Sequence, residues 1–409
     1  MSPAHDYWRL LGRPVTHTLR KLQFVDSLTG WAAGDSGVII HTTDGGHHWT
    51  RQNSSVHSDI VDIFFLDRRH GWALAWLVES PPFGTAVLST TNGGTTWERK
   101  TFAEENVFLG AVHFLDSLTG WMAGHPATIV STTNGGTDWI GATTVGFCSG
   151  YPVLDFNFYD NRYAFANGGA YDISGVAWRT TDYGRRWEAE CIAPEPVHRL
   201  HFIDSLNIIG VGGDFEYGCS ITRTTDGGEN WDFVNLQVFG IASGLSFRTP
   251  AEAWAPLGTA ERFIFTLDSG RTWSDVATPA RAVVFDLVFT DSLYGFAVGD
   301  SGVVLEYVPL PVGVSERKPY AAPEFTLLTN YPNPFNPSTR ISFTLPMRGA
   351  VSLTVFDLTC REVVRLLDGE QAAGEHSVEF DGSGLSSGVY TCRLQVGSYN
   401  ALRKLLLVR

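Results

Sequence analysis

Charged residues at one repeated position make the strongest case for chemistry in this sequence. A short motif recurs at Phe24-Val25-Asp26, Phe65-Leu66-Asp67, Phe114-Leu115-Asp116, Phe158-Tyr159-Asp160, Phe202-Ile203-Asp204, Phe247-Arg248-Thr249 and Phe289-Thr290-Asp291. Five residues before its last member stand Lys21, Asp62, Ala111, Asp155, Arg199, Gly244 and Asp286. If the repeats close into a ring, three aspartates, a lysine and an arginine meet at the mouth of one channel. Such a set could orient a polar ligand. Two of the aspartates facing each other across a cleft could hydrolyse a glycosidic bond. The bland alternative is a hydrated ring of charge that binds nothing.

Other residue types narrow the field. Sialidase chemistry asks for an arginine cluster, a Tyr/Glu nucleophile pair and an acid. Few arginines stand near first-strand starts, Arg199 and Arg281 among them, so that chemistry is not expected and no catalytic residue is assigned. The close histidine pairs His47-His48 and His198/His201 have no carboxylate or third histidine at ligand spacing, so neither a metal nor a cofactor is expected. Aromatics on loops of variable length, Phe147, Tyr151, Tyr171 and Tyr217 in particular, suit carbohydrate or protein recognition, or pack locally on the sheets. Five cysteines, Cys148, Cys191, Cys219, Cys360 and Cys392, show no zinc spacing. Cys360 and Cys392 share a domain and could pair, and an odd number leaves at least one thiol free or paired between molecules.

The element that must position these residues is a hairpin written six times. Its clearest copy is His41-Thr42-Thr43-Asp44-Gly45-Gly46-His47-His48-Trp49. Equivalent copies pair Asn92 with Trp97, Asn134 with Trp139, Asp182 with Trp187, Asp226 with Trp231 and Asp268 with Trp273. Thr-Thr favours an extended strand, Asp or Asn folds its side chain onto backbone N–H groups, and the next glycine takes the positive φ of a tight turn. These acids and amides therefore read as turn braces, and the tryptophans as rings buried on the return strand. The pattern is the Asp-box, and it resembles the repeats of sialidases and of the photosystem II stability/assembly-factor type of propeller.

Successive hairpin tryptophans are 42–48 residues apart. Four short strands per repeat at that period predict a β-propeller, here with seven blades. Five residues after each Asp or Thr comes Trp31, Trp72, Trp121, Phe165, Ile209, Trp254 or Phe296, an apolar core position. The last repeat lacks its hairpin and fourth strand. Trp8 precedes Phe24 by the same interval as Trp49 precedes Phe65, so residues 7–11 are expected to complete that blade and remove two open sheet edges.

The 43 glycines and 13 tryptophans fit many short strands and tight turns, and no segment is apolar over the length of a membrane span. A net charge of −14 repels a nucleic-acid backbone, so no such partner is expected. A proline-rich stretch, 309–324, reads as a linker. Beyond it, short alternating strands over 325–409 suggest a small immunoglobulin-like sandwich. The segment from Asn330 to Thr339, with its Tyr331-Pro332-Asn333-Pro334-Phe335-Asn336-Pro337 run, is joined by Phe356-Asp357, Gly374-Glu375-His376, Asp381-Gly382 and Ser387-Gly388-Val389-Tyr390. Together these closely resemble the C-terminal sorting domain of type IX (Por) secretion substrates, with Cys360 where that family usually has Gly. The resemblance implies delivery by the type IX machinery to the outer cell surface or the medium, often with removal of the sorting domain. Residues 1–6 show no basic segment followed by an apolar one, as a secretory signal peptide would. A misplaced start codon or a truncated gene accounts for that more simply than a cytoplasmic role.

The expectation is an all-β chain: a propeller over 1–308, a linker over 309–324 and a sorting domain over 325–409. Its function is non-catalytic binding of a glycan or protein, as a monomer. A secreted propeller glycoside hydrolase and an assembly factor for a membrane protein complex are the alternatives.

Overall fold

A computed structural model describes residues 7–308, 326–327, 330, 332–345, 348–357, 361–372, 374–396 and 399–408. The linker expected over 309–324, Cys360 and the first six residues lie outside the described residues. Those described form β-strands joined by turns, with short 3-10 turns and no α-helix.

The first part is a β-propeller. Six sheets follow one another in the chain: blade 1 (19–52), blade 2 (60–101), blade 3 (108–141), blade 4 (153–193), blade 5 (197–235) and blade 6 (246–277). One further sheet, the closing blade, joins Val284–Phe289, Gly295–Gly299 and Val304–Tyr307 to the N-terminal strand Trp8–Gly12. The seven sequence repeats thus fold as six contiguous blades and one assembled from both ends. At that seam Trp8 stands opposite Tyr307 and Arg9 opposite Glu306. Trp8 is fully buried, its ring 5.0 Å from Phe263 and 5.9 Å from Trp254.

The two repeated aromatic positions explain why the blades need one another. Trp31 of blade 1 stacks on Phe65 of blade 2 at 3.6 Å between ring centroids, and Trp72 of blade 2 stacks on Phe114 of blade 3 at 3.5 Å. Phe296 of the closing blade stacks on Phe24 of blade 1 at 4.5 Å. The hairpin tryptophan then meets the same ring edge-on, Trp49 on Phe24, Trp97 on Phe65 and Trp139 on Phe114. Each Phe is therefore clasped between its own blade and the preceding one, so no blade buries its apolar faces alone.

Two additions depart from the plain repeat. Thr143–Val145 pairs in parallel with the outer strand of blade 4, Arg186–Ala193. A disulfide, Cys148–Cys191, staples the connection that follows it to that strand. Cys219 and Cys392 are buried free thiols, and burial raises both, Cys392 to about 12.

The tail forms two sheets. One holds Thr326–Leu327, Ser338–Leu345 and Gly374–Asp381. The other runs Glu362–Gln371, Gly349–Phe356, Gly388–Val396, Tyr399–Leu407. Between them Ile341, Phe343, Leu353, Val355, Leu394 and Leu405 make one core. Tyr399–Leu407 also pairs antiparallel with Asp232–Asn235, the outer strand of blade 5, so blade and tail share a continuous sheet. Arg403 holds Asp232 at 3.2 Å, and Lys404 reaches Glu190 of blade 4 at 3.5 Å.

Candidate functional site

The six Asp-boxes are braces. In the first, the Thr42 hydroxyl donates to Asp44 Oδ1 at 2.9 Å and accepts from the Gly46 N–H at 3.0 Å. Asp44 Oδ1 accepts from the His48 N–H, and the Trp49 indole donates to the Gly46 carbonyl, both at 2.9 Å. Gly45 and Gly46 sit at φ +70° and +80°, which a side chain would strain. Asn92, Asn134, Asp182, Asp226 and Asp268 accept the equivalent backbone N–H. The His48 backbone and ring bonds hold the Asp44 carboxyl at about 2. All of this chemistry is spent on the turn.

The charged positions do come together. In six inner strands the register slips immediately before them: Leu19/Lys21, Ile60/Asp62, Leu109/Ala111, Val153/Asp155, Val197/Arg199 and Val284/Asp286. Each slip is a β-bulge that re-aims the next side chain, and the charges meet across the axis. Blade 6 lacks the slip because its inner strand is only Ser246–Phe247, which begins after Gly244. Arg199 bonds Asp155 at 2.9 Å and reaches Asp286 at 3.7 Å, while Lys21 faces Asp62 at 3.7 Å. Asp62 accepts the Val112 N–H of blade 3, and Asp286 the Leu22 N–H of blade 1.

The reading of a hydrated ring does not match what is found. The aspartates are buried, not hydrated, at 9%, 7% and 4% exposure for Asp62, Asp155 and Asp286. Burial raises the Asp62 and Asp286 carboxyls against the pull of Lys21 and Arg199. Burial also works against the Arg199 charge, but Asp155, Asp286 and Asp62 outweigh it and raise its pKa. Every charge has a partner in the ring or in a neighbouring backbone. Around it His113, His198 and His201 are pushed down to about 4 by burial, so they stay neutral near pH 7.

The aromatic loops divide. Phe147 is fully exposed, and Tyr171 and Tyr217 are about half exposed. Tyr151 is partly buried on the core of blades 3 and 4, which corrects its reading as a free loop aromatic. Tyr171, in the turn between the second and third strands of blade 4, lies 6.3 Å from Phe215 in the equivalent turn of blade 5. Tyr217 borders a cleft of about 370 Å³ with Glu216, Asn235, Gln237 and Phe239.

Sequence reasoning missed one set beside these aromatics. Asp172, Glu195 and Asp214 each bring a carboxylate oxygen to within 4.8 Å of the others. Burial, with Asp214 and Asp172 nearby, raises Glu195 to about 6. The three share no common offset in the repeats and lie far apart in the chain, so spacing alone gave no signal.

Residues 51–191 match a family model described as photosynthesis system II assembly factor YCF48, and residues 329–408 one described as secretion system C-terminal sorting domain. The photosystem II assembly lipoprotein Ycf48 of Trichormus variabilis is 35% identical over 80 residues, 19% of this chain and 23% of that protein. The chain thus spans less than a quarter of the length of that curated relative. A solved structure, YCF48 bound to D1 peptide, superposes with a TM-score of 0.60 at 21% identity, covering 76% of this chain and 100% of the other. A GH74 xyloglucanase from Xanthomonas campestris gives 0.58 at 14% identity, covering 83% and 59%. At such identities the structural likeness is one of fold. The chain carries a Ycf48-like propeller domain followed by a secretion-system C-terminal sorting domain.

Proposed function

We propose that this protein is an exported, non-catalytic binding module acting as a monomer. Its propeller, over 1–308, receives a polypeptide segment of a partner at the cell surface or outside the cell. Its tail, over 325–409 behind a linker at 309–324, is an immunoglobulin-like sandwich that hands it to the type IX machinery. The observation that carries the reading is the contrast between spent charge and free aromatic surface. The carboxylates of the channel mouth are consumed by Lys21, Arg199 and backbone N–H groups. Tyr171, Phe215 and Tyr217 stay exposed, Tyr217 beside a cleft. Aromatic anchors around a cleft are what a peptide-binding surface needs. That the similar YCF48 propeller was solved bound to a D1 peptide supports a polypeptide over a glycan.

The test is capture from outer-membrane and secreted fractions with the immobilised full chain, alongside a glycan array. A protein captured by the wild type and lost by Tyr171→Ala/Tyr217→Ala supports the reading. Glycan binding, or sugar release that Asp62→Asn and Asp155→Asn abolish, overturns it. The match over 51–191 also favours a second reading, an assembly factor for a membrane protein complex. Capture of an integral membrane subunit would mark that reading.

A further inference from the structure

We propose that Asp172, Glu195 and Asp214 form a Ca2+ site that ties the aromatic turns of blades 4 and 5 together. Asp172 follows the strand Ala164–Ala170 of blade 4, Asp214 ends the strand Ile208–Asp214 of blade 5, and Glu195 sits in the connection between these blades. Their ligand oxygens lie within 4.8 Å of one another. One ion with Ca–O distances of about 2.3–2.6 Å spans such a gap.

A second observation points inward. Asp214 is only 2% exposed, and its Oδ2 has no hydrogen-bond donor. Its Oδ1 is already used, accepting the Glu216 and Tyr217 N–H groups at 3.0 and 2.5 Å. Glu195 is likewise half-used, one oxygen accepting the Asp172 N–H at 3.2 Å. No basic side chain among the described residues forms an ion pair with any of the three. A buried carboxylate oxygen without a donor is costly, and a cation removes that cost. Three oxygens with no imidazole or thiolate select a hard ion over zinc. Loops from two blades suit the adaptable shell of Ca2+ better than the strict octahedron of Mg2+, with water and backbone carbonyls completing it.

Ion binding would hold Tyr171 and Phe215 at their present spacing. It is independent of what those rings bind. The experiment uses the full chain, melted in EGTA and in rising CaCl2, with Tb3+ as a luminescent probe excited through Tyr171 and Tyr217. The wild-type melting temperature is expected to rise, half-maximally at on the order of 10⁻⁴–10⁻³ M Ca2+, with a smaller response to equal MgCl2. Asp214→Asn and Glu195→Gln should lose both the shift and the Tb3+ signal. In EGTA they should melt no lower than the wild type, because each removes one of three crowded charges. Glu195→Gln keeps the read-out if Asp214→Asn folds poorly. A wild type that ignores Ca2+, or variants that keep its full effect, would overturn the site.

Discussion

Two acidic clusters lie in one propeller, and they are built on opposite terms. At the channel mouth, Asp62, Asp155 and Asp286 come from strands, each just after a bulge, and each finds a cation or a backbone N–H. Between blades 4 and 5, Asp172 and Glu195 come from connections and Asp214 from a strand end, and Asp214 keeps a buried oxygen with no donor. Charge that is answered within the fold works as architecture, clasping one blade to the next. Charge left unanswered must be met from outside. The repeat offset alone would have ranked the two clusters the other way, because only the first has a repeated position behind it.

The most drastic way to break this contrast is to open the frame that carries both clusters. Deleting residues 1–12 removes the strand Trp8–Gly12 and the buried Trp8 ring. A single buried Trp→Ala change costs about 3–5 kcal/mol. The deletion should exceed that and lower the melting temperature markedly, and an unchanged melt would contradict the closure.

Next comes the ring itself. Arg199→Met leaves Asp155 and Asp286 buried without their cation, and breaking a buried pair on one side costs about 3–5 kcal/mol. Urea unfolding measures this. A small loss of stability with a large loss of ligand binding would move the ring from architecture to recognition.

The histidines sharpen the same contrast through pH. His113, His198 and His201 hold a folded pKa of about 4 against 6.5 when unfolded. Between those values the unfolded chain binds more protons, so stability is full above pH 6.5 and is lost as pH falls toward 4. His198 faces Lys21 and Arg199 of the ring and the Tyr171 hydroxyl of the loop, so it borders both clusters. Urea midpoints between pH 7.5 and 4.5 should slope accordingly, and His198→Gln should remove part of the slope. The turn aspartates contribute only lower down, since Asp44 and Asp67 are held at about 2.

The smallest effect is expected at the open surface. Phe147→Ala and Tyr217→Ala should change stability by less than about 0.5 kcal/mol, while Tyr217→Ala weakens partner capture. A larger loss of stability would make these rings packing elements.

What the sequence made legible was whatever repeats. The offset that located Lys21, Asp62, Asp155, Arg199 and Asp286 works because every blade puts the same strand position near the axis. The spacing of Trp8 from Phe24 revealed the closing strand for the same reason. What stayed hidden lacked a second copy. The Cys148–Cys191 bond joins residues 43 apart, and nothing in either local sequence names its partner. The turn carboxylates meet only because two blades stand side by side. The tail was readable as a separate unit, but its pairing with Asp232–Asn235 depends on which blade edge it reaches. Hydration was misjudged at the ring, because offsets show where side chains converge and not how deeply they sink.

The seam between Arg9 and Glu306 joins residues 297 positions apart in the chain. The first propeller strand to emerge, from a ribosome or from a translocation pore, therefore waits for nearly the last before it finds its neighbour. Until then the molecule is an arc with two sticky ends, and the slowest, least local contact is also the one that makes it whole. A passenger that is threaded outward before it rounds up gains from this order, because the final click comes only after the whole propeller has crossed.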